Sequence, residues 1–262
     1  MRLDTALSAA VAARRRIVVP YVLVDRRRRR ALGATVAALA DGGATALELG
    51  FPFSDPIADG PVLAAAADRA LRAGTDWSDL LAAARTASAI VPTAVMTYAN
   101  PVLRHGLDDA LAALAAAGVS GLIVPDLSLE EAAPWRRAAR RAGVALVLLA
   151  APAATPARTA SIARASRGFL YLVSRYGTTG RSTPSAATDL RPLVAAAHRA
   201  APRLPVLVGF GVRDAATAGR AMRSGADGVV VGSALEEAIA RGATPAALAR
   251  FLRAIAGPPS AR

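Results

Sequence analysis

The sequence predicts an α/β protein, a TIM-type (β/α)8 barrel, on three observations. Short runs rich in Val, Ile and Leu recur between longer Ala- and Arg-rich helical stretches. Those runs are apolar throughout rather than alternating, as strands buried on both faces are. Eight such units fit into 262 residues, the usual length of this architecture as one domain. The whole chain, 1–262, therefore reads as a single barrel domain. A doubly wound open sheet is the rival, and the glycines after the last two strands favour the barrel.

Residues 1–16 read as a helix laid across the bottom of the barrel. The strands then follow at Ile17–Val22, Thr45–Leu49, Thr93–Tyr98, Gly121–Val124, Val144–Leu149, Phe169–Val173, Pro205–Val208 and Asp227–Val231. Gly74, Gly118, Gly143 and Gly225 close helical stretches, as helix stops should. An extra helix fills Trp77–Ala89 before the third strand. The longest irregular stretch, Ser174 to Thr188, holds Gly177, Gly180 and Pro184 among Ser and Thr, which makes it a lid candidate. The final Gly-Pro-Pro-Ser-Ala-Arg reads as a frayed tail.

The densest chemistry lies in residues 46–61, Ala-Leu-Glu-Leu-Gly-Phe-Pro-Phe-Ser-Asp-Pro-Ile-Ala-Asp-Gly-Pro. An apolar strand carries one charge, Glu48, and burying a charge is costly unless it is paired or used. A Pro- and Gly-rich loop adds Asp55 and Asp59, at the end of a strand where barrel enzymes keep their catalytic groups. A folded-back loop easily brings Asp59 to Glu48. The two read as a carboxylate pair aimed at one pocket; the blander alternative is a capping Asp and a Glu paired with an arginine. Gly209-Phe210-Gly211 ends the seventh strand, and Gly232-Ser233 ends the eighth and opens a helix. Glycine backbone amides at a helix start suit a phosphate group.

Composition narrows the chemistry. All 32 basic residues are Arg, Cys is absent, and there are two His. Without Lys there is no side-chain amine for a Schiff base, and so few His with no Cys argue against a transition-metal site. No cofactor is implied, and general acid–base catalysis by carboxylates remains. The net charge of +13 should attract anionic substrates or an acidic partner. With 4% aromatics there is little for stacking bases, and pairs such as Arg136-Arg137 and Arg140-Arg141 fit solvated helix faces, so no specific nucleic acid is expected. No apolar run is long enough to span a bilayer, and no signal segment opens the chain. A soluble, cytoplasmic protein is the expectation.

The segment from Leu47 to Pro61 resembles the signature loop of the tryptophan synthase alpha subunit family. The likeness continues through Met96-Thr97-Tyr98-Ala99-Asn100-Pro101, Val124-Pro125-Asp126-Leu127, Tyr171-Leu172-Val173-Ser174-Arg175, Gly177-Thr178-Thr179-Gly180, Gly209-Phe210-Gly211 and Gly232-Ser233-Ala234. The resemblance implies a lyase of tryptophan biosynthesis that cleaves indole-3-glycerol phosphate to indole and glyceraldehyde 3-phosphate. It implies Glu48 as the general acid/base and Asp59 as the carboxylate facing the indole N–H. A strand-end Glu in apolar surroundings should have a raised pKa, while an Asp on a polar loop should stay ionised. Tyr21, Tyr98, Tyr171, Thr179 and Phe210 fall at substrate-contacting positions, with Thr179 bonding the loop Asp on lid closure. Gly180, Gly211, Gly232 and Ser233 fall at the phosphate.

A pyridoxal-phosphate beta subunit is the implied partner. Two departures bear on it. Where the family usually has Thr-Ala-Gly-Asp-Pro, this chain has Leu23-Val24-Asp25 followed by Arg26–Arg30, and Asp126-Leu127-Ser128-Leu129 lacks the family's Pro residues. The arginine run reads either as a solvated first helical turn or as an anion contact at the barrel mouth or on a partner, with altered docking as a consequence. A stand-alone or specialised-metabolism paralogue, and a degenerate barrel that regulates a beta-type subunit, are the alternatives.

Overall fold

The computed structural model describes residues 2–174 and 189–257. Its strands are β1 (Ile17–Leu23), β2 (Leu47–Gly50), β3 (Thr93–Met96), β4 (Gly121–Ile123), β5 (Ala145–Ala150), β6 (Leu170–Val173), β7 (Val206–Gly209) and β8 (Gly228–Val231). They pair in sequence order, all parallel, into a closed barrel. The open sheet is thereby excluded, and all eight expected strands are present.

Side-chain alternation along each strand divides the molecule into two cores. Ile17, Val19, Tyr21 and Leu23 of β1 face the barrel interior with Ala94, Met96, Val147, Tyr171 and Val230. Val18, Val22, Leu47, Leu49 and Val95 face outward, into the layer beneath the helices. Glu48 lies between Leu47 and Leu49, so it points inward, and its register partner on β1 is Tyr21.

The helices begin where capping chemistry puts them. The extra helix α4 (Trp77–Ser88) starts at Asp76, whose carboxylate accepts from the Asp79 amide while Asp79 returns the bond; such a reciprocal cap is typically worth about 1 kcal/mol. Helix α3 (Pro61–Arg72) begins with Pro at its first position, where the missing N–H costs nothing. The four glycines expected to stop helices all take positive φ, from 70° at Gly143 to 91° at Gly225. The N-terminal helix α1 (Leu3–Ala12) closes the bottom: Leu3 and Leu7 join the interior core, and the Leu3 amide donates to Ser120 Oγ at the foot of β4. A short helix α5 (Ala99–Arg104) follows β3. Between α2 (Leu32–Asp41) and β1 the chain makes one 3-10 turn, Arg26–Arg28.

That turn corrects the reading of the arginine run as a solvated helix start. The run precedes α2 rather than opening it, and three of its members are paired within the chain. Arg26 bridges Asp76 (3.1 Å) and Asp79 (2.9 Å), Arg27 holds the turn's capping residue Asp25 (2.6 Å), and Arg28 reaches Glu236 at 2.7 Å. Burial pushes the Asp25 carboxyl up, but hydrogen bonds from Arg27 outweigh it and hold the group below the usual carboxylate range. Glu236 sits in α11 (Ser233–Ala240), almost fully buried, and also accepts from the Leu23 amide at 2.7 Å.

Candidate active site

The C-terminal ends of the strands enclose a narrow cavity. Glu48 reaches it from β2, Asp59 from the loop after β2, Tyr21 from β1, and Tyr171 from β6. Phe210 and Gly211 come from the end of β7, and Gly232 and Ser233 from the end of β8. Eight positions singled out from sequence thus converge on one space. Leu63, Met96, Val212 and Val230 also line it and were not singled out. Met96 and Val230 are inward members of their strands, so strand alternation was the signal that would have found them.

Glu48 has no exposed surface, and neither carboxylate oxygen has a hydrogen-bond partner. The ionised form is therefore disfavoured by burial first and by the nearby Asp59 second, and the pKa is pushed up to about 8. At neutral pH this carboxyl carries its proton. Asp59 departs from the expectation of an ordinary loop carboxylate. The loop folds inward, burial raises its pKa to about 6, and hydrogen bonding with Tyr98 pulls the other way. Above that value Asp59 is the charged member of the pair. Two neighbouring carboxyls separated in this way can divide the acid and base roles between them.

Tyr21 and Tyr171 stay neutral, both held above the ordinary tyrosine value by burial, with charge repulsion from Glu48 and Asp59 adding to it. Each ring lies over a glycine of the neighbouring strand. A Cβ on Gly50 would sit 1.9 Å from the Tyr21 hydroxyl oxygen, and one on Gly209 only 2.4 Å from that of Tyr171. Phe210 packs edge-on against Tyr171 with ring centroids 5.5 Å apart. Its φ of 62° is a strained conformation for a bulky residue, of the kind that concentrates at functional sites. The Ser174 hydroxyl, donating to the Phe210 carbonyl, holds it there.

Tyr98 is not among the residues lining the cavity. It is buried one step behind, where its ring lies against Phe53 at 5.1 Å and its hydroxyl accepts from the Ala58 amide at 3.0 Å. It therefore fastens the loop next to Asp59. Asp126 is likewise used within the chain, accepting from the Ala99 amide at the start of α5. Gly232 precedes α11 and supplies no side-chain cap, so the first N–H groups of that helix, beside Ser233, are available to an anion. Thr179, Gly180 and the rest of the lid candidate after Ser174, residues 175–188, lie outside the described residues.

Comparison with known proteins agrees with this geometry. Residues 7–254 match the family described as tryptophan synthase alpha chain. The tryptophan synthase alpha chain of Methanosarcina mazei is 42% identical over 225 residues, covering 86% of this chain and 82% of that one. That of Thermobifida fusca is 47% identical over 202 residues, covering 76% and 74%. Among solved structures, tryptophan synthase from Mycobacterium tuberculosis superposes with a TM-score of 0.86 at 38% identity, covering 97% of this chain and 96% of that one.

Proposed function

The chain belongs to the tryptophan synthase alpha chain family, lyases that cleave indole-3-glycerol phosphate, and from that premise we propose that Glu48 and Asp59 carry the cleavage here. The observation that supports this most is Glu48 itself. It is a buried, unpartnered carboxyl that holds its proton at neutral pH, facing a cavity shared with an ionisable Asp59.

Glu48 gives its proton to C3 of the indole ring, and Asp59, ionised, offsets the positive charge that develops at the indole N–H. The bond from C3 to the glycerol carbon then breaks, its electrons returning to the ring. The hydroxyl on that carbon becomes the aldehyde, and its proton passes to the Glu48 carboxylate. Indole and glyceraldehyde 3-phosphate are released and Glu48 is protonated again, so one carboxyl serves as acid and then as base.

Tyr21, Tyr171 and Phe210 wall the indole, and Tyr98 keeps the Asp59 loop in place. Gly211, Gly232 and Ser233 hold the phosphate. A beta-type subunit is the partner, docking on the same rim. Ile57 is 73% and Leu103 53% exposed there, beside a depression lined by Phe51, Phe53 and Trp77. Exposed apolar surface of this kind marks interaction sites. No described helix is long and apolar enough to cross a membrane, and cytoplasmic residence follows from the biosynthetic role.

The test is indole release from indole-3-glycerol phosphate by the purified chain, alone and with a beta subunit. Release alone, rising when the subunit is added, supports the assignment. No release under either condition would overturn it.

A further inference from the structure

A second cavity lies outside the barrel, beneath the arginine run. Its floor is apolar: Val22 on the outward face of β1 and Val24 just beyond that strand, with Leu32 and Leu248. Its sides are small residues, Ala34 and Thr35 of α2 facing Ala82, Ala83 and Thr86 of α4. Where larger side chains would have closed the gap between these helices, Ala and Thr leave a cavity of about 290 Å³. That is near the lower end of the roughly 300–1,000 Å³ typical of small-molecule sites. It shares no lining residue with the catalytic cavity.

The mouth is cationic. Arg26, Arg28 and Arg29 line it together with Asp25 and Asp79. The carboxylates there are already engaged, Asp79 by Arg26 and Asp25 by Arg27, and Arg28 is held by Glu236. Arg29 is exposed and has no carboxylate partner among the described residues. One guanidinium is thus left over at the edge of an apolar hollow, and a guanidinium matches a carboxylate with two parallel hydrogen bonds.

We propose that this cavity is a second ligand site, for a small carboxylate carried on an apolar body about the size of one aromatic ring. Arg29 holds the anion at the mouth, and Val22, Leu32 and Leu248 receive the ring. The hollow is too apolar for a free sugar phosphate and too small for a nucleotide. Because Arg28 belongs both to this mouth and to the Glu236 pair of α11, occupancy has a direct route to the helix whose first turn faces the catalytic cavity.

Phenylacetate and phenylacetamide are the probes, titrated by thermal shift and by two-dimensional NMR on the intact chain, neither of which depends on lyase activity. Saturable binding of the acid, about tenfold tighter than the amide, with chemical-shift changes around 31–35 and 82–86, is expected. Arg29→Gln should bring acid and amide to equal affinity. Ala82→Leu should fill the hollow and abolish both, and Thr86→Leu at the exposed rim does the same should Ala82→Leu fold poorly. Gly232→Asp, in the catalytic cavity, should leave binding intact. Equal affinity of acid and amide in the unaltered chain, loss of binding in Gly232→Asp, or no saturable binding at all would each overturn the proposal.

Discussion

The Glu236 carboxylate joins two segments 208 residues apart: one oxygen accepts from Arg28 and the other from the Leu23 amide, both at 2.7 Å. It pins the start of α11 to the end of β1. Removing one member leaves a buried charge without its partner, a change that costs about 3–5 kcal/mol in full burial and less here because Arg28 is partly exposed. Arg28→Met should therefore lower the unfolding free energy by about 2–3 kcal/mol, and Glu236→Leu combined with it should recover part of the loss. The check is a double-mutant cycle in urea; additive losses would mean the pair is not coupled.

Glu48→Gln should reduce turnover by at least about 10²–10⁴-fold, the usual cost of losing a general acid, with phosphate-ligand affinity within a few-fold of the original. The same change has a signature in stability. Glu48 has a folded-state pKa near 8 against an ordinary 4.5, so its protonated form is fully favourable below about 4.5 and that advantage is lost as pH rises toward 8. Each unit costs about 1.4 kcal/mol, on the order of 3 kcal/mol by pH 7. Gln does not titrate. The stability of the variant relative to the unaltered chain should thus climb from pH 5 to pH 8 and flatten above it; a constant difference would mean Glu48 is ionised in the fold.

Activity should follow a bell-shaped pH profile. The reaction needs Asp59 ionised, which favours pH above about 6, and Glu48 protonated, which favours pH below about 8. The limbs of kcat/KM report the pair rather than either residue alone. Asp59→Asn should remove the acid limb from whatever activity persists. An acid limb unchanged in that variant would assign it to another group.

Gly232→Asp adds bulk and a negative charge where the first amides of α11 meet the cavity, and Gly211→Asp does so from the loop after β7. Both should raise KM strongly, and steady-state kinetics with the phosphorylated substrate is the check. An unchanged KM in both would move the phosphate elsewhere.

The barrel was legible because its strands are short, continuous apolar runs, and Glu48 stood out as the one charge inside such a run. The catalytic cavity was legible because its residues sit at strand ends, which the fold collects on one face. Other features depend on distant partners. Arg28 reads as one of five like charges until Glu236 is placed beside it, and no local pattern announces a contact across that separation. Asp59 reads as an ordinary ionised carboxylate on a polar loop, because a Pro- and Gly-rich pattern marks the turn without giving the burial that raises its pKa. Tyr98 falls at a substrate-contacting position by the family resemblance, which does not reveal the Ala58 amide that its hydroxyl accepts from.

The two carboxyls are mounted differently, and that sets the thermal margin of the enzyme apart from that of the fold. Glu48 belongs to the closed barrel wall and moves only if the barrel opens. Asp59 rides on an irregular loop fastened near it through one side chain, Tyr98, whose hydroxyl accepts from the Ala58 amide and is hydrogen-bonded to Asp59. Segments held so lightly open at far smaller free energies than a core strand. On warming, the acid of the pair stays in register while its counter-charge drifts, so catalysis fades at temperatures where the scaffold is still whole.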